Sequence, residues 1–310
     1  MVRPRWTAQA ARDVLEVGAR SLGLIYERLE LLRFGTNAVY RLHPDPLIVR
    51  ISRPGADPQA IEREWDLCTW LSGLHYPVPS PALEVMQRPL AVYDSVLSVW
   101  RYIPPPASGP DGRAPEPTLE QMAALLRGLH GLSRPCPVEL PAFDPLALIG
   151  ARLRALAGAG QITRADAEVL WRWHGWLAPR FARAIAESRL GRGMIHGDAH
   201  RGNLILGSRG EPYLLDWDYA AIGPREWDLI PEALGPRRFG RPAAEYMAFA
   251  HAYGHDVTAW PHFQTAALVR ELLITVWRFE VEAISPVRTE SRLRMRYWRR
   301  EPQPPPWSAF

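Results

Sequence analysis

Residues 194–218, MIHGDAHRGNLILGSRGEPYLLDWD, gather side chains that could do chemistry around a short predicted hairpin. The polar groups at its ends are three aspartates, an asparagine and two histidines: Asp198, Asp216, Asp218, Asn203, His196 and His200. Carboxylate and amide oxygens are the hard ligands that Mg²⁺ takes together with substrate phosphates. The same residue types also serve as turn and capping residues, and that structural role is the alternative.

Antiparallel pairing of the two strands predicts which of these groups lie together. If Leu206 faces Tyr213, then Asn203 faces Asp216 at the open end of the hairpin. Side chains directly opposite on antiparallel strands have Cβ atoms about 4.5–5.5 Å apart. The pairing therefore predicts an amide and a carboxylate side by side, with Asp198 shortly before them in the chain.

The spacing of HGDAHRGN and the later LLDWD resembles the catalytic and metal-binding segments of the aminoglycoside phosphotransferase and choline kinase family, relatives of the protein kinases. The continuation DWDYAAIGPREWDL is similar to the family's segment after the metal aspartate. The resemblance implies that Asp198 is the catalytic base and that Asn203 and Asp216 hold Mg²⁺ on the nucleotide phosphates. It also implies that Asp218 lies near the metal or the acceptor, and that Asp228 braces the catalytic loop.

The two histidines of this segment have a further interpretation. His196 and His200 are four positions apart, which on a helix would indicate a pair of zinc ligands. Gly197 and Gly202 disfavour a helix there, so we interpret His196 as a hydrogen-bonding brace of the loop. His200 is a candidate contact for the acceptor or a phosphate.

The first half of the chain supplies candidates for a nucleotide site. FGTNAVYRL resembles the sparse phosphate loop of the small-molecule kinases, in which Gly35, Thr36 and Asn37 would present backbone N–H groups to phosphate. An ordinary hairpin turn is the alternative. Where the family commonly has a lysine, the next strand carries Arg50, a permanent cation that can bond phosphate with two nitrogens.

The helix after this strand tests the assignment independently. Glu64 falls inside its apolar stripe, and a carboxylate on an inward face is costly unless it is paired. This predicts an ion pair between Glu64 and Arg50, with a half-exposed Glu64 as the alternative and Arg53 as a second candidate cation. In the resemblance, the pair holds the cation for the phosphates, and the backbone from Trp100 to Tyr102 meets adenine.

Strand-like and turn-forming segments over the first hundred residues predict an antiparallel sheet with one inserted helix. Asp57 is placed to cap that helix, with Pro58 at its first position and Gly73 beyond its end. An earlier helix is expected over residues 8–22. Strands are expected near residues 26–34, 38–42, 46–52, 82–86 and 95–103.

A proline-rich stretch over residues 104–117 is expected to link this sheet to a helical second half. Thr118 and Gln121 are spaced as a capping box, and further helices are expected over residues 164–188, 242–254 and 263–284. With the resemblance, this predicts an α+β, bilobal, protein-kinase-like fold. Residues 1–103 would form the nucleotide-binding N-lobe, and residues 104–310 a mostly helical C-lobe with the catalytic hairpin and the acceptor site.

Composition narrows the setting of the protein. The 310 residues are 47% hydrophobic, enough for a large core, and the two cysteines, Cys68 and Cys136, cannot build a disulfide framework. No signal-peptide pattern or membrane-length apolar run is visible, so a cytoplasmic protein without a membrane partner is expected. All 37 basic residues are arginines, mostly interleaved with acids, which argues against a nucleic-acid partner. The locally basic residues 288–310 are interpreted as a solvated helix running into a proline-rich tail.

The resemblance predicts an ATP-dependent kinase, with GTP as the alternative nucleotide, that uses Mg²⁺ to phosphorylate a hydroxyl of a small molecule. Three hypotheses are open: an antibiotic-resistance kinase, a metabolic kinase for a sugar, amino alcohol, homoserine or nucleoside, and a nucleotide-binding pseudokinase. From residue 225 to 282 there are eight acids and six arginines. That balance is too even to indicate a strongly cationic acceptor, and the fold itself does not select one.

Overall fold

Residues 6–109, 111–284, 290–301 and 306–308 are described by a computed structural model. Numbered along the chain, the strands are β1 (Arg28–Phe34), β2 (Asn37–His43), β3 (Leu47–Ser52), β4 (Leu90–Val92), β5 (Ser95–Arg101), β6 (Arg192–Ile195), β7 (Leu204–Leu206), β8 (Pro212–Leu214) and β9 (Ala221–Pro224). The helices are α1 (Ala8–Leu22), α2 (Pro58–Gly73), α3 (Leu119–His130), α4 (Pro145–Gly158), α5 (Arg164–Ala186), α6 (Ile230–Arg238), α7 (Ala243–Tyr253), α8 (Phe263–Ile284) and α9 (Glu290–Trp298). The expected α+β class is confirmed.

The described residues divide into two compact units. The first contains the described part of Met1–Pro117 together with Ser133–Leu140 and Asn203–Asp218. The second contains Thr118–Leu132, Pro141–Gly202 and the described part of Tyr219–Phe310. The β7–β8 hairpin therefore belongs with the N-terminal sheet, and the domain boundary between residues 103 and 104 stays a prediction.

Strands β1 to β5 form one antiparallel sheet in the first unit, in the order β1-β2-β3-β5-β4. Side chains alternate between the two faces of a strand, and Val49 and Ile51 of β3 are buried on one face. Arg50 lies between them and therefore projects from the opposite face. The alternation of β3 thus fixes which side of the sheet carries the cation.

Helix α2 begins as the sequence predicts, because the Asp57 side chain accepts a backbone N–H of the first turn and Pro58 occupies its first position. Its buried residues are Glu64, Trp65, Leu67, Cys68 and Leu71. Gly73 is the last helical residue, not the first one beyond, because the N–H of Leu74 still donates to the Trp70 carbonyl at 3.2 Å. The predicted stripe is confirmed, with Glu64 inside it.

The strand predicted at residues 82–86 is wrong. The segment forms a turn, in which the N–H groups of Val85 and Met86 both donate to the Ala82 carbonyl, at 2.9 and 3.1 Å. Ala82 and Met86 are the buried residues, and their spacing of four fits one face of a helical turn as well as one face of a strand, so the hydrogen bonds decide for the turn. The strand that pairs with β5 is instead β4.

The second unit is mainly helical, and the predicted capping box of Thr118 and Gln121 forms at the start of α3. Helices α5, α7 and α8 match the predictions, whereas α4, α6 and the β6–β9 pair did not emerge from the sequence. Helix α9 lies in the basic segment where a solvated helix was expected, but that expectation is wrong about exposure, because Ser291, Arg294, Met295 and Trp298 are buried. The described part of residues 104–117 contains neither helix nor strand, as expected of a linker. Of the basic tail, residues 288–289, 302–305 and 309–310 lie outside the described residues.

The hairpin prediction is confirmed in its place and wrong in its register. Leu206 pairs with Pro212, not with Tyr213. The N–H of Gly207 donates to the Glu211 carbonyl at 2.8 Å, which closes the loop one residue earlier than expected. Gly210, with φ of +82°, allows this tight closure.

The shift changes how the predicted metal ligands Asn203 and Asp216 lie relative to each other. The Asn203 carbonyl accepts the Leu215 N–H at 2.7 Å, so Asn203 lies opposite Leu215. Asp216 follows one residue later, with φ of +65°. The direct Asn203–Asp216 pairing is therefore wrong.

Candidate active site

Arg50 is paired with Glu64 in the first unit, as the apolar stripe of α2 predicts. Its Nη1 donates to both carboxylate oxygens of Glu64, at 2.6 and 2.8 Å. The Glu64 side chain is 4% exposed and that of Arg50 is 17% exposed. Arg53, the second candidate cation, is exposed, so the structure selects Arg50 as the partner.

Two aspartates join this pair, and we call the four residues Arg50, Glu64, Asp216 and Asp218 the Arg50 cluster. Arg50 Nη2 donates to Asp218 Oδ1 at 2.6 Å and lies 3.6 Å from Asp216 Oδ1. Carboxylate oxygens of Glu64, Asp216 and Asp218 lie within 4.8 Å of one another. The cluster therefore brings together three potential oxygen ligands.

The backbone of Asp216 is held in the left-handed region, at φ of +65°. For a residue other than glycine this conformation costs about 1–3 kcal/mol. The surrounding hairpin supplies that energy. Such strain is concentrated at ligand-binding sites in folded proteins, and here it aims a carboxylate into the cluster.

Electrostatics in the cluster favour an additional cation. Three carboxylates share one guanidinium, which leaves an excess of negative charge when all are ionised. Burial raises the pKa of Glu64 well above its ordinary value, Asp218 and Asp216 add to this effect, and Arg50 opposes it. For Arg50, burial opposes the charge, but the three carboxylates hold its pKa well above the usual value. An oxygen-only donor set with excess charge fits Mg²⁺.

Asn203 is 4% exposed and belongs to the same unit as the cluster. It ends a short 3₁₀ turn, Arg201–Asn203, immediately before β7. Its role as a second metal ligand stays a prediction.

The backbone of the predicted phosphate loop is hydrogen-bonded to other residues of the first unit. The Gly35 N–H donates to the Asn37 carbonyl at 3.0 Å, and the Gly35 carbonyl accepts from Trp6 Nε1 at 2.7 Å. The Thr36 carbonyl accepts the Arg53 N–H at 3.1 Å. These bonds are those of a hairpin turn, and contact between Gly35, Thr36 or Asn37 and phosphate stays a prediction.

The predicted adenine-binding segment follows β5. Trp100 is 5% exposed and its Nε1 donates to Ser98 Oγ at 2.8 Å. The Tyr102 N–H donates to the Pro46 carbonyl at 2.7 Å, and its ring stacks on the Arg41 guanidinium at 3.8 Å from the centroid. Adenine contact by Trp100 and Tyr102 therefore stays a prediction, and the Tyr102 N–H is already bonded within the protein.

In the second unit, Asp198 is paired with an arginine that sequence reasoning did not find. Arg270 Nη2 of α8 donates to Asp198 Oδ1. Burial raises the pKa of Asp198, but Arg270 and then His200 lower it by more, so the pKa lies below its ordinary value. The carboxylate is thus held ionised, in the form that accepts a hydrogen bond from a hydroxyl group.

The two histidines beside Asp198 shape the loop. His196 is fully buried, and its Nδ1 accepts the Asp198 N–H at 3.3 Å. His200 Nδ1 accepts the Gly202 N–H at 3.0 Å, while its Nε2 lies 3.7 Å from Asp198 Oδ2. Among the described residues, neither histidine belongs to a group of three ligands close enough to share an ion.

Asp228 is fully buried and hydrogen-bonds the backbone of this loop within the second unit. Its two oxygens accept the N–H groups of His196 and Gly197, at 2.7 and 2.8 Å. His130 Nε2 lies 3.1 Å from the same carboxylate, and its Nδ1 lies 2.8 Å from the Tyr253 hydroxyl. Burial raises the pKa of Tyr253 to about 12, so its hydroxyl keeps its proton and can share a hydrogen bond with His130 Nδ1. This is the geometry of a loop brace.

The sequence around Arg270 does indicate that this residue has a charged partner. It lies in the apolar helix α8, where an arginine flanked by buried residues is costly unless paired. The same argument identified Glu64. Its partner could not be read locally, because Asp198 precedes it by 72 positions.

Comparison with known proteins gives the class. An aminoglycoside phosphotransferase from Streptomyces rimosus has a TM-score of 0.62 at 16% identity, covering 87% of this chain and 99% of that one. A choline kinase from Streptococcus pneumoniae has a TM-score of 0.61 at 18% identity, covering 93% of this chain and 97% of that one. The fold is thus the protein-kinase-like fold of these enzymes.

The sequence profile of the phosphotransferase enzyme family matches residues 30–265. The chain therefore belongs to this family and is a small-molecule phosphotransferase. No curated protein sequence matches the chain. Within the described residues, each helix is too short or too polar to cross a membrane.

Proposed function

We propose that the protein transfers the γ-phosphate of ATP, bound with Mg²⁺, to a hydroxyl group of a small molecule. The observation that carries this proposal is the Arg50 cluster, in which three carboxylates exceed the charge of one half-buried guanidinium. Nucleotide binding is further supported by the Streptomyces rimosus relative, whose structure was determined with ADP and streptomycin. GTP is the alternative nucleotide.

Within this proposal, each residue of the first unit has a separate task. Asp216 and Asn203 would hold Mg²⁺, with Asp218 beside them. The ion would neutralise charge on the phosphates when bound. Arg50, held by Glu64, would bind phosphate oxygens with the guanidinium edge that a lysine lacks.

Asp198 would orient the acceptor hydroxyl and take its proton. The hydroxyl oxygen forms a bond to the γ-phosphorus, the bond from that phosphorus to the leaving oxygen of ADP breaks, and the hydroxyl proton passes to Asp198. Because phosphoryl transfer proceeds through a loose transition state, orientation matters more than strong basicity. A carboxylate with a lowered pKa is suited to that role.

The acceptor has two candidate classes, an antibiotic or a metabolic alcohol. The relatives include kinases of both kinds. The near balance of acids and arginines over residues 225–282 favours a metabolic acceptor over a polycationic aminoglycoside. We also propose a cytoplasmic setting, in which Cys68 and Cys136 stay as free thiols.

The test is to incubate the purified chain with Mg²⁺ and ATP and a panel of antibiotics, sugars, amino alcohols, hydroxy acids and nucleosides. Mass spectrometry should detect a phosphorylated product and ADP, and chelation of Mg²⁺ should abolish both. Nucleotide binding without transfer to any acceptor or to water would instead favour the pseudokinase.

A further inference from the structure

A cavity of about 180 Å³ lies in the second unit, and Arg270 forms part of its wall. Since Arg270 also bonds Asp198, the cavity adjoins the proposed base. Its wall also includes Arg201, Arg241, Glu232 and His200. Three of these side chains are arginines, an unusual lining for a pocket that would receive a cationic antibiotic.

The guanidinium groups have donors to spare. The Arg270 side chain is only 5% exposed, its Nη2 donates to Asp198, and its guanidinium carbon lies 6.0 Å from the centroid of the Trp227 ring. Arg201 Nε is buried without a hydrogen-bond partner in the described part of the chain. Burial and then the neighbouring Arg201 lower the pKa of Arg241, while Glu232 and Glu245 oppose this effect. Buried donors of this kind are costly until a ligand satisfies them.

The carboxylates of the cavity are already occupied. Glu232 Oε1 accepts the Arg201 N–H at 2.9 Å, and its Oε2 lies 3.4 Å from Arg241 Nη1 and 3.7 Å from Arg201 Nη2. Arg201 Nη2 also donates to Glu245 Oε2 at 2.6 Å.

His200 also lines the wall, and its two ring nitrogens face the protein. Its Nδ1 accepts the Gly202 N–H at 3.0 Å, and its Nε2 lies 3.7 Å from Asp198 Oδ2. Each wall arginine has a carboxylate partner, so the cavity offers guanidinium hydrogen-bond donors beside carboxylates that already accept hydrogen bonds or ion pairs.

We propose that this cavity binds the acceptor through a carboxylate group, so that the phosphorylated substrate is a small hydroxy acid. This inference rests on the proposed phosphotransferase function. A planar carboxylate can take two parallel hydrogen bonds from a guanidinium. The free edge of Arg270 would bind the acid, and the bonded edge would hold Asp198. One residue would then align the acceptor with the base.

The size of the cavity also favours a small acceptor. The cavity is smaller than the roughly 300–1,000 Å³ typical of pockets for drug-sized ligands, so it favours an acceptor of few heavy atoms. An ammonium group in this place would face three guanidinium groups without a free carboxylate.

The test compares matched alcohols that differ only in charge, using the full chain with Mg²⁺ and ATP. The acids are 4-hydroxybutyrate and glycerate, their neutral partners are the corresponding amides, and the cations are ethanolamine and choline. The kcat/KM for at least one acid should exceed that for its amide about tenfold or more, because the amide lacks the negative charge and replaces one acceptor oxygen with an NH2 donor that would face the guanidinium donors. The acid, but not its amide, should also raise the unfolding temperature.

Arg241→Gln should raise the KM for the acid while kcat changes less, whereas Arg164→Gln, at a 93% exposed side chain far from any cavity wall residue in sequence, should change neither. Preference for the amides or cations, or failure of both acids to be phosphorylated or to stabilise the protein, overturns the inference alone. Absence of phosphoryl transfer to every acceptor and to water overturns the proposed function as well. The two failures are therefore distinguishable.

Discussion

At the scale of single residues, Arg50 occupies the place where the family commonly has a lysine. Its two terminal nitrogens contact different carboxylates, Nη1 on Glu64 and Nη2 on Asp218. A lysine ammonium is a single point donor on a flexible stem and cannot span both partners in the same way. The arginine is therefore part of how the cluster is assembled, and not a simple replacement of one charge by another.

We expect Arg50→Lys to raise the KM for ATP and to lower the free energy of unfolding by about 1.5–3 kcal/mol, because one charge-assisted hydrogen bond is lost. Steady-state kinetics and denaturant unfolding measure the two effects. Arg53→Lys, on an exposed neighbour of the same strand end, is the control and should behave like the unsubstituted protein. An unchanged KM for ATP in Arg50→Lys would contradict the expected advantage of the guanidinium over an ammonium group in binding the nucleotide.

The Asp198–Arg270 pair predicts a pH dependence. Because the folded pKa of Asp198 is lowered, the stability that it contributes is present above its ordinary pKa and is lost as pH falls through the folded value. In Arg270→Gln, burial would act with less opposition and raise that pKa. The acid limb of the kcat/KM profile should then move to higher pH, whereas Arg164→Gln should leave it in place. An acid limb that stays at the same pH in Arg270→Gln would show that the limb does not report the protonation of Asp198.

At the scale of elements, the loop that carries Asp198 passes close to the segment before β9. A Cβ added to Gly197 would lie 2.2 Å from the Tyr219 carbonyl oxygen, and φ at Gly197 is +82°. Gly210 has the same φ of +82°, but an added Cβ would meet nothing within 4 Å. Comparing substitutions at the two glycines therefore distinguishes the effect of backbone strain from that of steric contact.

Gly197→Ala should therefore destabilise the protein more than Gly210→Ala does. The second change carries only the strain of a left-handed alanine, on the order of 1–2 kcal/mol. The first adds displacement of the loop that carries Asp198, so activity should fall with stability. Urea unfolding and phosphoryl-transfer rates of the two variants test this. Equal effects would show that the contact with Tyr219 adds no destabilisation to the strain of the left-handed conformation.

Element by element, local chemistry explains what could be predicted. Asp57 and Thr118 cap their helices as expected because capping depends on a few neighbouring residues. The predicted register of the hairpin was wrong because a single hydrogen bond, from the Gly207 N–H to the Glu211 carbonyl, decides between two loop lengths. Residues 82–86 failed because apolar residues four apart in a short segment suit a turn as well as a strand.

At the scale of the whole molecule, the pairings that matter join distant parts of the sequence. Asp218 follows Arg50 by 168 positions, and Arg270 follows Asp198 by 72. Charged groups inside apolar stripes showed that partners must exist, but no local pattern says which ones. The family resemblance indicated Arg50 and Glu64, whereas α8 carried no motif and its arginine was missed.

Nucleotide binding should also be visible in the stability of the whole chain. A ligand present at a hundred times its Kd stabilises the folded state by about 2.7 kcal/mol, so Mg²⁺ with ATP should raise the unfolding temperature. Asp216→Ala should lose this Mg²⁺-dependent rise, because the change removes a proposed metal ligand. Asp66→Ala, at an exposed position of α2, should keep it. A full rise in Asp216→Ala would remove that residue from the metal site.

The central claim is that Asp198 is the base of a Mg²⁺-dependent phosphoryl transfer. The direct test is the rate of product formation by Asp198→Asn, measured with saturating acceptor, Mg²⁺ and ATP, alongside the affinity for the nucleotide. The amide keeps the shape of the side chain but lacks the ionised carboxylate that Arg270 holds in place. We predict loss of transfer with nucleotide affinity largely retained. Turnover at the rate of the unsubstituted enzyme would contradict the account.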